Sequence, residues 1–191
     1  MKRFVGVFVM ATFLLGGCAS NVAVDYDQKI DFSKLKTYNL FIPDTPRAGH
    51  VKLDNPMIAE RINHAIEQQL GVDGYQQATS NPDFLVTYHL QVKQEVDSRN
   101  TGFNTSVGVG RGSYGRYGGM GMTYGGPSYE VYSYEKGIMT IDVLTPADKK
   151  LIWRGSTSRR LSSSSTPEKS KKAINEVVAE IFSHYPPGKK K

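Results

Sequence analysis

With 191 residues, 39% of them hydrophobic, and with eight Phe and one Trp, the chain holds enough apolar bulk for one folded core and too much for a disordered tail. Its single cysteine excludes an internal disulfide. The net charge of +6 is divided unevenly. Residues 18–148 hold fifteen Asp/Glu against eleven Lys/Arg, whereas residues 149–191 hold eleven Lys/Arg against Glu168, Glu176 and Glu180. A basic end of this kind can meet phospholipid headgroups, lipopolysaccharide phosphates or acidic wall polymers; a solvated helix face with a Lys189-Lys190-Lys191 tail is the plainer account of the same charges.

The first element in the chain is a targeting segment. Met1-Lys2-Arg3 is a basic start, and Phe4 to Leu15 carries no charge. That run is too short to cross a bilayer as a helix, which takes about 20 residues. Basic start, short apolar run and small-residue ending describe a secretory signal peptide over residues 1–17. The ending, Leu15-Gly16-Gly17-Cys18, resembles the lipobox of bacterial lipoproteins. Cleavage is then expected between Gly17 and Cys18. The Cys18 thiol is expected to carry a lipid, and by the same resemblance three acyl chains, palmitate among them. An alkylated sulfur leaves no free thiol for catalysis or metal binding. In the sorting rule of enterobacterial lipoproteins an Asp after the cysteine retains the protein at the inner membrane. Ala19-Ser20 stands there instead, which points to the outer membrane of a Gram-negative cell. Residues 18–21 form the tether.

The rest of the chain, 22–187, reads as one domain, with 188–191 as a basic tail. Val22, Val24 and Tyr26 alternate with Asp25 and Asp27, as in a strand. Asp31 to Leu35 is a turn and Thr37 to Phe41 a second strand. Asn55-Pro56 opens a helix, since Asn caps free N–H groups and Pro needs none at the first helical position. Ile58, Ile62, Ala65, Ile66 and Leu70 form its apolar stripe, and Gly71 and Gly74 end it. From Asp83 the period becomes two, with Phe84, Val86, Tyr88, Leu90 and Val92 on one face. Residues 102–126 contain ten glycines and little aliphatic bulk, so a flexible Gly/Tyr-rich loop insertion is expected there. Strands follow over Tyr129–Tyr134 and Ile138–Leu144 with a turn near Gly137 between them. A hairpin turn at Pro146–Lys149 and a strand over Leu151–Gly155 come next. After a polar spacer at Ser162–Ser165, Thr166-Pro167 starts a second helix. Its inner face is Ala173, Ile174, Val177, Val178, Ile181, Phe182 and Tyr185, and Pro186-Pro187 stops it. The order implies an α+β fold: a single mostly antiparallel sheet with two helices packed on one face.

The chain from Val24 to Pro187 resembles the bacterial lipoprotein family known as domain-of-unknown-function family 4136. The segments that carry the likeness are Val24-Asp25-Tyr26-Asp27, Asp31 to Tyr38, Gly74-Tyr75, Pro82 to Tyr88, Gly137 to Asp142 and Trp153-Arg154-Gly155, in that order. The resemblance implies an envelope location and a compact α+β domain. It supplies no catalytic residues.

Chemistry-bearing motifs are scarce. His50, His64, His89 and His184 fall on different elements, and none stands at the i, i+4 spacing of helical metal ligands, so no metal is expected. Gly110 to Gly115 matches GxGxxG, but a dinucleotide site needs a strand before it and a helix after it, and only more Gly and Tyr follow. Asp142, between Ile141 and Val143, is the best carboxylate candidate, with a sheet-face role as the plainer reading. Trp153 beside Arg154 is either an exposed cation–π platform or, as the simpler account, a core anchor. Arg111, Tyr114, Arg116, Tyr117 and Tyr124 form the candidate partner-binding set, because Tyr on a Gly-rich loop presents a flat amphipathic face at low entropy cost. The expectation is a non-enzymatic lipid-anchored protein that binds or scaffolds at the periplasmic face of the outer membrane. It needs no cofactor beyond the lipid on Cys18. Its partners are membrane lipid and another envelope protein, peptidoglycan or anionic lipid, not nucleic acid. An envelope hydrolase with dispersed residues and a lipid or lipoprotein carrier are the alternatives.

Overall fold

The computed structural model describes residues 21–42, 50, 53–108, 121–162 and 166–188. Alternating residues make the strands and capped stripes make the helices. The elements are β1 (Ala23–Tyr26), a 3₁₀ turn (Phe32–Lys34), β2 (Thr37–Leu40), α1 (Pro56–Val72), β3 (Gln76–Gln77), β4 (Phe84–Gly108), β5 (Gly121–Leu144), β6 (Leu151–Arg160) and α2 (Pro167–Phe182). One six-stranded sheet runs in the order β1-β6-β5-β4-β2-β3. The pairs β1–β6, β6–β5 and β5–β4 are antiparallel; β2 lies parallel to both β4 and β3. The sheet is therefore mixed. α1 crosses between β2 and the β3–β4 edge, so the strands on either side of it run in the same direction.

Both helices start as their sequences predict. The Asn55 side chain accepts the Ile58 N–H at 3.2 Å and the Thr166 hydroxyl accepts the Lys169 N–H at 3.3 Å, with Pro following each cap. α1 ends where Gly74 takes φ +88° and the Tyr75 N–H returns to the Leu70 carbonyl at 2.9 Å. The helices bury Ile62, Ile66, Leu70, Val178, Ile181 and Phe182 against one sheet face, formed by Phe84, Val86, Tyr88, Ile141, Val143 and Trp153. Tyr185, just past α2, is fully buried among Phe32, Tyr75, Phe84, Trp153 and Phe182. Ala173, expected on the inner face of α2, is exposed.

Three expectations are corrected. There is no turn at Gly137: β5 is continuous, and Gly137 pairs with Val92 on one side and Arg159 on the other. The glycine makes room there for Leu161, because a Cβ would stand 2.8 Å from Leu161 Cδ2. β6 runs on past Gly155 to Arg160, and β3 carries no apolar alternation that would have revealed it. The third correction concerns the flexible insertion at 102–126. Residues 102–108 belong to β4 and 121–126 to β5, paired from Gly108↔Gly121 downward; residues 109–120 lie outside the described residues. Antiparallel pairing satisfies the N–H and C=O groups of two strands against each other without burying any side chain, and an argument from apolar bulk overlooks that.

Asp83 ties the start of β4 to β2. Its carboxylate accepts the N–H groups of Lys36 at 2.9 Å and Thr37 at 2.8 Å, and its own N–H reaches the Thr37 hydroxyl at 3.0 Å. The Lys36 N–H first, then that of Thr37, holds its pKa below the ordinary carboxylate value. A depressed folded pKa adds stability that is complete above the unfolded value, about 3.9, and is lost as pH falls through the folded value. Asp83→Asn is accordingly expected to melt at a lower temperature than the parent at pH 7, with the gap narrowing below about pH 4. Thermal melts across that range measure it.

Candidate interaction surface

The sheet face away from the helices is polar. Strand register sets Asp25, Arg154, Asp142 and Thr87 side by side in one row across β1, β6, β5 and β4. The next row is Ala23, Ser156, Thr140 and His89. Asp142 is the hub. Arg154 Nε donates to its Oδ1 and Nη2 to its Oδ2, both at 2.7 Å, and His89 Nε2 lies 3.3 Å from Oδ2. The Asp142 side chain is 4% exposed although no helix covers it, because Arg154 and His89, each 46% exposed, lie over it. The hydrogen bonds that Arg154 donates to Asp142 raise its pKa above its ordinary value. The Thr140 and Ser156 hydroxyls bond each other at 3.0 Å, and among the described residues neither bonds His89. The bidentate arginine occupies both carboxylate oxygens, so Asp142 here braces three strands together.

Above these rows the sheet narrows to a two-stranded ribbon. β6 makes its last pair at Arg160↔Lys136, and the Leu161 N–H reaches the Glu135 carbonyl at 2.8 Å; beyond that point, to Gly108↔Gly121, the ladder is that of β4 with β5. At roughly 3.3 Å per residue this ribbon is about 50 Å long. Irregular register falls between Asn100 and Thr105. A polar clasp marks its base: Glu95 accepts from the Tyr134 hydroxyl at 2.8 Å and from Lys136 at 3.1 Å, while the Arg160 guanidinium sits 4.0 Å over the Tyr134 ring. The Tyr134 hydroxyl, then Lys136, lowers the Glu95 pKa, and the same bond raises that of Tyr134. Just beyond the clasp, Val96 is 68% and Val131 65% exposed on the helix side of the ribbon, with Tyr132 47% exposed on the other.

A third feature is an open cleft of about 600 Å³ at the opposite end of the sheet, lined by Tyr26, Phe32, Tyr75, Pro186 and Asp31 among others. Beneath it the Tyr185 hydroxyl is buried with no partner among the described residues, and burial raises its pKa far above the usual phenol value. The helix–sheet interface itself is filled by the core side chains, which occupy the space that a carrier's apolar groove would require.

The structure assembles few of the residues singled out in the sequence. Gly17, Cys18, Arg111, Tyr114, Arg116 and Tyr117 lie outside the described residues, and Tyr124 stands in β5 opposite Thr105. Of the two readings of Trp153 the core anchor holds, since it is 0% exposed, and Arg154 points to the opposite face. Asp142 has the sheet-face role. His89 as its neighbour, and the Glu95–Tyr134–Lys136 clasp, went unseen because cross-strand register is not written in either strand alone. Among the described residues no group of three or more His, Cys, Asp or Glu could hold a metal ion, and no helix is long and apolar enough to cross a membrane.

The fold defines a class: an α+β domain with one open mixed sheet, helices on one face and a projecting ribbon. Within that class the sequence matches the family described as Domain of unknown function (DUF4136) over residues 22–187, and the chain belongs to that family. Comparison with curated proteins finds no match. Among solved structures, a PDZ domain protein from Parabacteroides distasonis is similar in fold, with TM-score 0.52 and 14% identity over 90% of this chain. This chain spans only 36% of that protein's length. The PelC dodecamer from Paraburkholderia phytofirmans (TM-score 0.44, 10% identity, 85% of this chain and 94% of that one) is more distant. So is a minor lipoprotein from Acinetobacter baumannii (TM-score 0.37, 12% identity, 78% and 91%).

Proposed function

We propose that this protein is a non-enzymatic, lipid-anchored envelope protein that binds or scaffolds at the periplasmic face of the outer membrane, with the β4–β5 ribbon as its binding element. The lipid is carried on Cys18, and no other cofactor is needed. The observation that carries this reading is the ribbon itself. A two-stranded hairpin is only marginally stable alone in water, and open strand edges are templates for pairing. A chain that extends one for about 50 Å, with Val96, Val131 and Tyr132 exposed, keeps a surface suited to being covered. The lipobox at Leu15–Cys18 supports the anchor, and Ala19-Ser20 after it supports the outer membrane.

Replacing residues 97–132 by Asn-Gly closes the hairpin at the Val96↔Ser133 pair with a two-residue turn and leaves the core intact. In-cell crosslinking of the lipidated protein is expected to yield most of its envelope adducts from the full chain and few from this variant, while circular dichroism shows both folded. An unchanged set of adducts would remove the ribbon from the account.

A further inference from the structure

We infer that the β4–β5 ribbon lies against the phospholipid leaflet that holds the chain, with its exposed apolar side chains at headgroup level; this rests on the reading of Cys18 as the anchor. The direction of β1 makes the case. β1 is antiparallel to β6 with Ala23 opposite Ser156, and the Asn21 carbonyl accepts from the Thr157 hydroxyl at 3.4 Å. The chain therefore enters the sheet from the Ser158–Arg160 end. That is the end where β6 stops and the ribbon continues. Anchor and ribbon leave the sheet in the same direction, and two strand spacings, about 10 Å, separate β1 from β5.

Lengths then decide the geometry. Three peptide steps from Asn21 to Cys18 reach at most about 11 Å. Measured from the Ile138 level, which lies opposite Ser158, the described end of the ribbon at Gly121 is about 55 Å away, so it runs some 40 Å past any position open to Cys18. Pointing the ribbon away from the membrane would require the tether to run back along the sheet from Ile138 to Leu144, about 20 Å, which is beyond its reach. A ribbon this long beside so short a tether runs along the leaflet, and the face that offers it apolar groups is the helix side, where Val96 and Val131 are 68% and 65% exposed, whereas Tyr132 and the clasped Lys136 stand on the other face.

Single Cys18 and fully buried Trp153 make the test direct. The mature chain (residues 18–191) is coupled through Cys18 to maleimide-headgroup lipid in phosphatidylcholine/phosphatidylglycerol vesicles, with or without brominated acyl chains. Tryptophan is placed by Tyr132→Trp, by Val131→Trp or, at the far end of the sheet, by Gln28→Trp. Emission from Val131→Trp is expected to shift to the blue and fall roughly twofold with brominated lipid, while Tyr132→Trp, on the opposite face of the ribbon, is quenched far less and Gln28→Trp matches the parent. A Val131 probe that behaves like Gln28→Trp would overturn the inference. So would probes shielded without bromine quenching and only at high protein density, the signature of ribbon pairing with a second copy. Because the coupling is chemical, the anchor reading stands or falls separately, on mass spectrometry of Cys18 from cells.

Discussion

Replacing Trp153 by Ala is expected to lower the unfolding free energy by about 3–5 kcal/mol, the range for removing a large aromatic from a core, and to shift the denaturant midpoint accordingly. Trp153 is fully buried, stacked on Phe182 with ring centroids 6.2 Å apart and edge-on to Tyr185 at 5.1 Å. It packs β6 against the end of α2, so its loss leaves a hole between them. Its indole N–H has no partner among the described residues, so Trp153 contributes through packing and Phe is the better tolerated substitute. Gly155 belongs to the same unit: a Cβ there would stand 2.5 Å from Trp153 Cη2 and 2.7 Å from Ile181 Cγ2. Chemical denaturation of Trp153→Ala and Trp153→Phe checks the ordering; an Ala variant as stable as the parent would contradict the central place given to the indole.

Asp142→Ala is the second large expected effect. It removes both acceptors of the Arg154 fork and the neighbour of His89. Breaking a fully buried ion pair costs about 3–5 kcal/mol, but Arg154 is half-exposed and regains water, so about 2 kcal/mol is expected. The double variant Asp142→Leu, Arg154→Leu leaves no uncompensated charge and is expected to lose less than the single one. Urea denaturation of the four proteins in the cycle measures the coupling. A double variant that loses the full sum of its two singles would mean that the two side chains stabilise the sheet independently, against the bidentate geometry. Neither substitution touches the ribbon, so the envelope adducts formed by folded protein are expected to persist in both.

Much of the fold was legible in the chain. The Asn55-Pro56 and Thr166-Pro167 starts, the stripes of both helices and the period-two run from Phe84 are local patterns whose physical cause lies within a few residues. The Gly-rich stretch was misread for an equally local reason. Composition reports how much surface a segment can bury, whereas strands 102–108 and 121–126 are held by backbone partners across a hairpin. Gly137 looked like a turn because glycine commonly marks one; here it is the space that Leu161 fills.

The candidate surface was less visible. Asp142 stood out as a carboxylate in an apolar strand, but its partners come from β4 and β6, twelve residues away in one direction and more than fifty in the other. Register decides such partners, and register is a property of the assembled sheet. By itself the sequence determined the capped helices and the alternating strands. Only the tertiary structure decided that β1 enters from the ribbon's end of the sheet, that β2 joins it in parallel, and that one carboxylate clasps an arginine on the helix-free face. The physical reason is that side-chain periodicity is written in consecutive residues, whereas strand order and direction depend on which chain segments meet when the core is buried.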